Sequence, residues 1–330
     1  MDQRGHTYLA TRALGLLEER GAAPELTGLL KTHLRTVAIG AWIPDLQDAR
    51  KGSGDVDNHV LKMKPYKGPE QERFTMTKKA MLGALGADRA VSGWLTQDTT
   101  LTDAWWGDAY KADPAPGQHL ANRAMALTVT LKDLLILGDD GVAAAVPGTV
   151  SFAGQLDPEA RSSAQQVATY FFMLSHFVAD SCMPCHCDGR YLSAYGNGLH
   201  KELEDHWAKR IGPFFDKARL LKSADTPDQM LEAAQAKDTE FGLEFPNAIP
   251  AIVASDVWKE IVFVCRGSFA VQNLIAPRDA YPFGGTAKCK FDDVFAGDAG
   301  QALLQTLDRV ALQDAAFNIA MIWQQVWKVF

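Results

Sequence analysis

The stretch from Tyr170 to Glu204, YFFMLSHFVADSCMPCHCDGRYLSAYGNGLHKELE, constrains the fold more than any other part of the chain. Its first half is apolar apart from Ser175, His176, Asp180 and Ser181, which predicts a mostly buried helix. His176 and Asp180 are four residues apart, so an imidazole and a carboxylate share one helical face. Pro184 predicts a break or bend, and His186 follows it. His200 and Glu204 then repeat the four-residue spacing on what reads as a second helix. One such pair on an apolar helix is more often a hydrogen-bonded core pair. Two pairs with a His between them point to a metal, because zinc and similar ions take imidazole nitrogen and carboxylate oxygen in fixed geometry.

With 330 residues and 47% hydrophobic content, the chain can bury a substantial core. It has no long linker, repeat or low-complexity tract, so one domain over 1–330 is expected. A formal charge of −7 gives no basic footprint for tracking a nucleic-acid backbone, and no stable nucleic-acid complex is expected. A metal cluster can nevertheless reverse the potential locally. No apolar run reaches transmembrane length. The N-terminus lacks a secretory apolar stretch, which predicts a cytoplasmic protein as numbered, or a secreted or periplasmic one if a leader was removed. Of the five cysteines, Cys182, Cys185 and Cys187 crowd around His186, while Cys265 and Cys289 lie apart. Cys182-x-x-Cys185 is compatible with a redox pair or a thiolate site, but small soft residues packed beside the helix is the favoured reading. A disulfide to Cys289 stays open.

In chain order, Thr7 to Arg20 carries an amphipathic stripe with His6 at its start. Leu26 to Ile39 predicts a second helix, with His33 as an ordinary residue. Ala38 to Asp48 reads as the entry to a loop, where Pro44 presents Asp45, and His59 follows a polar stretch. Glu70 to Arg89 predicts a helix, as does Ala121 to Leu137. Trp94, Trp105 and Trp106 read as local core in preference to a lid, and Pro114, Pro116 and Gly117 mark a loop. Helices are predicted near Thr226 to Ala236, where Thr226 caps a helix opening on Pro227, and near Ala251 to Phe269. Tyr281 to Asp298 reads as loop, and Gln301 to Val329 as a long bundle helix. Convincing alternating strands are scarce, so the expected class is all-α: a single large helical bundle with a metal cluster in a cleft.

Taken together, His6, Asp45, His59, His176, Asp180, His186, His200 and Glu204 resemble, in order, the ligands of the zinc-dependent phospholipases C and the related single-strand-specific nucleases. Gly5-His6, Ile43-Pro44-Asp45, His59, His176-Phe-Val-Ala-Asp180, Pro184-Cys-His186 and His200-Lys-Glu-Leu-Glu204 carry the resemblance along most of the chain. It implies an all-α fold holding two or three zinc ions. His59, His176 and Asp180 would hold one, and His186, His200 and Glu204 a second. His6 and Asp180 would hold the third, with Asp180 bridging, and Asp45 would be the general base or the orienter of the attacking water. Where the family usually has Trp at residue 1 this chain has Met1, whose amine and carbonyl would complete the third site, the alternative being a frayed terminus over a two-metal site. His59 and His176 lie 117 positions apart, more than in the family, so 94–165 reads as inserted material near the cleft.

The expected function is metal-dependent hydrolysis of a phosphoric ester, phospholipase C-like, by a metal-activated water, with a phospholipid or nucleotide-like substrate. Glu204 is more like the phospholipases, and the nucleases' Gly-Gly-Asn signature is missing. A nuclease or nucleotidase on the same metals is the first alternative. A non-catalytic binding protein stabilised by metal is the second.

Overall fold

Two helices buried on nearly every side organise the molecule. A computed structural model describes residues 1–48, 56–70, 73–113, 119–139, 141–142, 161–190, 192, 198–254 and 256–328. Its helices are α1 (Gln3–Glu19), α2 (Pro24–Thr32), α3 (Val37–Gly40), α4 (Ile43–Asp48), α5 (Lys78–Leu85), α6 (Ala90–Gln97), α7 (Asp103–Gly107) and α8 (Leu120–Ile136). They continue as α9 (Ala164–Ser181), α10 (Pro184–Cys187), α11 (Leu199–Ile211), α12 (Lys217–Leu220), α13 (Pro227–Phe241), α14 (Val257–Ile275), α15 (Phe291–Phe295) and α16 (Gly297–Lys328). All residues from Phe171 to Ser181 in α9, and all from Val310 to Gln324 in α16, are buried. A helix apolar all round has no solvent face to offer, so α1, α8 and α16 pack around α9. Each fully buried Leu or Phe there contributes on the order of 1.5–3 kcal/mol. The chain is all-α.

The expected breaks fall where backbone chemistry places them. Ser163 caps α9 by accepting from the Gln166 amide, and α9 ends ahead of Pro184. Thr226 and Gln229 form a reciprocal capping box at α13, with Pro227 in its first turn. At Gly40 an added Cβ would lie 2.6 Å from the Phe172 Cβ, so the bare backbone lets α3 approach α9 closely.

Several expectations change. The predicted helix Leu26–Ile39 ends at Thr32, passes through a 3-10 turn (Leu34–Thr36) and resumes as α3. Pro44 lies in the first turn of α4, where its missing N–H costs nothing, so Asp45 is helical and not in a loop. Among the described residues of Glu70–Arg89 the α-helix is Lys78–Leu85, begun by a Thr77 cap; the helix expected at Ala251–Phe269 begins at Val257, capped by Asp256. Tyr281–Asp298 contains α15. A short antiparallel pair, β1 (Lys62–Pro65) and β2 (Tyr110–Asp113), escapes a reading that needs longer alternation.

Described parts of 94–165 are built into the bundle: α8 packs on α9 and α14, and Trp105 is buried beside Tyr110 and Phe269 with buried Trp106 against it. The loop expected at Pro114, Pro116 and Gly117 lies outside the described residues. No described helix is long and apolar enough to cross a membrane. All five cysteines are free thiols, so Cys289 forms no disulfide.

Candidate metal centre

Asp180 is the hub. Its position on α9 is four residues beyond His176, and its Oδ2 lies 3.2 Å from His176 Nε2 and 3.1 Å from His59 Nδ1. Its Oδ1 faces the Met1 amine at 3.3 Å, and His6 Nε2 and His186 Nδ1 each at 3.5 Å. Four separate segments therefore deliver nitrogen atoms to one buried carboxylate.

Each segment is fixed locally. The Asp2 side chain caps α1 by accepting the Gly5 amide, which sets Met1 and His6 on the cleft side. Gly5 leaves room for Met1, since an added Cβ would stand 3.2 Å from Met1 Cβ. His59 and His186 are brought together because the chain following each one pairs: the Leu61 amide donates to the His186 carbonyl, and the Gly189 amide to Met63. The Ala41 carbonyl, at 2.8 Å, takes the Nδ1 proton of His176, which leaves Nε2 as a lone pair facing the hub.

Three groups of ligand atoms result. One is His59, His176 and Asp180; a second is His186, His200 and Glu204; a third is His6, Asp45 and His176. The first two match the sets implied by the resemblance. Asp45, expected as the general base or the orienter of the attacking water, also falls within a ligand group, its carboxylate 3.5 Å from His176 Nε2. Met1 is buried, its amine between Asp180 and Glu204 Oε1 at 3.1 Å. His200 Nε2 is 2.9 Å from Glu204 Oε1.

The donor set fits a borderline divalent ion. His176 Nε2 faces His59 Nδ1 at 3.0 Å, and His186 Nε2 faces His200 Nε2 at 3.0 Å. Two imidazole nitrogens on one tetrahedral zinc stand roughly 3.3 Å apart, so each pair is close to ligand spacing. Neither ring nitrogen of buried His6 makes a hydrogen bond among the described residues. Buried polar atoms left this way are costly unless something else binds them. The thiols do not join in. Burial pushes Cys182 up to about 12 and Cys187 well above its usual value, so both stay protonated in the packing.

Electrostatics sort the ligands. Burial, then His176 and the Met1 amine, hold His6 well below the ordinary imidazole value, and burial lowers His186 to about 4. Both are neutral, as metal ligation requires. Burial opposes ionisation of Asp180, but the Met1 ammonium beside it is the leading charge that holds it well below the carboxylate range. Glu204 is held down likewise by the amine, His186 and His200. Burial works against the Met1 ammonium, yet Glu204, Asp180 and Asp45 raise it to about 11. Burial lifts Asp45, whose side chain is 32% exposed, and with the 38% exposed His200 it marks the mouth of the cleft.

Two contributors are missing from the sequence reading. The Ala41 carbonyl is backbone and leaves no residue-type signal. Arg123 stands over the Phe177 ring at 6.0 Å, with its buried Nε unpartnered among the described residues; Phe177 in turn packs on His59 and His176. Only its place on α8 beside the His59 turn distinguishes this arginine. No protein-family model, no curated protein and no solved structure matches the chain.

Proposed function

We propose that the protein is a metal-dependent phosphoric ester hydrolase of the phospholipase C type, holding two or three zinc ions around Asp180. One observation carries this reading: buried, neutral imidazoles and ionised carboxylates from separate segments converge on Asp180, with a carboxylate of raised pKa at the mouth. His59, His176 and Asp180 would hold one ion, and His186, His200 and Glu204 another. His6, Asp180 and the Met1 amine would hold a third. Bound zinc would supply a water of lowered pKa and positive charge for the phosphate oxygens.

The chain's own residues do the rest. Asp45 accepts the proton of the attacking water, a role suited to a carboxyl whose pKa is lifted by burial while the site stays open to solvent. The Ala41 carbonyl keeps His176 in one tautomer. Arg123 adds a guanidinium near the His59 side of the centre, where a phosphodiester brings negative charge.

The test is turnover of a water-soluble choline phosphate diester, alongside single-stranded nucleic acid, by the zinc-loaded protein. Asp45→Asn should cut the rate by a factor on the order of 10² to 10⁴ while most of the zinc remains. Cleavage of nucleic acid alone would move the assignment to a nuclease. No turnover of either ester would end the hydrolase reading.

A further inference from the structure

The rim of the centre carries an apolar face that hydrolysis itself does not use. Ile39, Trp42 and Leu46 recur at helical spacing along α3 and α4, the segment that also presents the Ala41 carbonyl and Asp45. Ile39 is 42% and Leu46 37% exposed. Leu221, 55% exposed, lies one turn beyond Lys217, and the Lys217 Nζ rests 3.2 Å from the centroid of the Trp42 ring. The two segments therefore form one surface. Of the eight large hydrophobic side chains more than a third exposed among the described residues, three stand here, beside the mouth. Single exposed leucines are ordinary, whereas such a cluster marks a binding face.

Its charge says what binds. Arg35 donates to the Ser223 carbonyl, Lys217 sits on Trp42, and Lys222 is exposed; none of the three meets a carboxylate among the described residues. Nearby, Arg4 pairs with Asp216 at 3.2 Å and Arg219 with Asp225 at 2.7 Å. In a chain of net charge −7, this edge thus keeps uncompensated cations around an apolar patch.

We propose that this face docks on an anionic lipid bilayer, with Ile39, Leu46 and Leu221 entering the boundary between headgroups and acyl chains. Arg35, Lys217 and Lys222 then meet lipid phosphates. Docking there turns the Asp45 mouth toward headgroup phosphodiesters. A second copy is a poorer occupant, because a two-fold interface would set these cations against their own equivalents. The role of docking in turnover rests on the hydrolase reading; the binding itself does not.

The experiment measures co-sedimentation of the zinc-loaded protein with vesicles of phosphatidylcholine and phosphatidylserine in equal parts, beside turnover of a water-soluble choline phosphate diester. Wild type should bind the vesicles, less at high salt. Ile39→Ser/Leu221→Ser should weaken binding by about tenfold or more while leaving the soluble ester turned over as before. Lys222→Glu, a change of one exposed charge, should weaken binding with no effect on folding. No vesicle binding by wild type, or equal binding by both variants, overturns the inference even if the soluble ester is hydrolysed. Binding without turnover of any ester upholds the docking face and defeats the hydrolase reading. A dimer that the double variant abolishes, with no vesicle binding, assigns the face to a second copy and also overturns it.

Discussion

The bundle buries two kinds of charged cluster, and they are satisfied differently. Around Arg89 every charge is answered: its Nε donates to Asn318 at 2.7 Å, and its other nitrogens reach Glu260 and the Leu85 carbonyl. The second Glu260 oxygen accepts the Ala254 amide at 3.1 Å, while Asp314 accepts from Ala90 and Val91 at 2.6 and 2.9 Å. Asp308 is closed in the same way by Trp207, His206 and Arg210. Around Asp180, by contrast, ring nitrogens face ring nitrogens and His6 makes no hydrogen bond among the described residues. Closed clusters hold helices together. Lone pairs aimed at shared points, with carboxylates among them, call for a cation.

The largest expected effect breaks the hub. Asp180→Asn replaces one of the two carboxylate oxygens that together face five nitrogens and removes the charge they share. Metal affinity should fall by well over the roughly 100-fold that outer-sphere partners contribute, leaving at most one zinc by elemental analysis. Wild-type zinc content in the variant would return Asp180 to the class of Asp308.

The closed cluster should respond in the opposite manner. Glu260→Gln leaves the buried Arg89 guanidinium without its carboxylate, at a cost of about 3–5 kcal/mol in urea unfolding. Zinc content should not change. If the variant loses zinc, the two clusters are coupled and the contrast between them fails.

What the sequence carried divides along the same line. His176–Asp180 and His200–Glu204 were legible because helical spacing alone puts each pair on one face. His6, His59 and Asp45 had no local pattern and came only through the ordered resemblance. Pro44 reads as a breaker and so predicts a loop at Asp45, whereas Asp45 stands in a helical first turn. The ligand reach of Asp45 toward His176 depends on α3 packing closely at Gly40, a tertiary fact. The partners of Arg89 come from residues far apart in sequence, and no periodicity announces them. In sequence the exposed stripe at Ile39 and Leu46 looks like ordinary helix and loop, since exposure is decided by what fails to pack.

A smaller effect sharpens the comparison through pH. Burial holds Asp314 up to about 6, above its unfolded carboxylate value. Its contribution to stability is fully present below about pH 4 and is lost as pH rises through about 6, roughly 3 kcal/mol in all. On the proposed metal reading, zinc binding would run the other way, because the ligands must shed protons. In chelator-treated protein, Asp314→Asn should flatten the fall in urea midpoint between about pH 4 and 7. Identical slopes in the two proteins would remove Asp314 as its source.

The smallest effect concerns Met1, which stands between the two classes. Its amine is buried between Asp180 and Glu204, and those carboxylates with Asp45 raise it to about 11. Without a metal it is a paired ammonium, closed like Arg89. With one, it must give up that proton, so the occupancy of its group should rise with pH after the other groups have filled. Placing Gly-Ser ahead of Met1 turns the amine into an amide, which can neither carry the charge nor ligate through nitrogen. Zinc content should fall by one equivalent, with His59–His176–Asp180 and His186–His200–Glu204 still occupied. The loss in stability should be smaller than that of Glu260→Gln, since Asp180 keeps His59, His176 and His186 beside it. Unchanged zinc content at every pH would show that the amine serves as a structural cation, and the centre would then be a two-metal site capped by an ion pair.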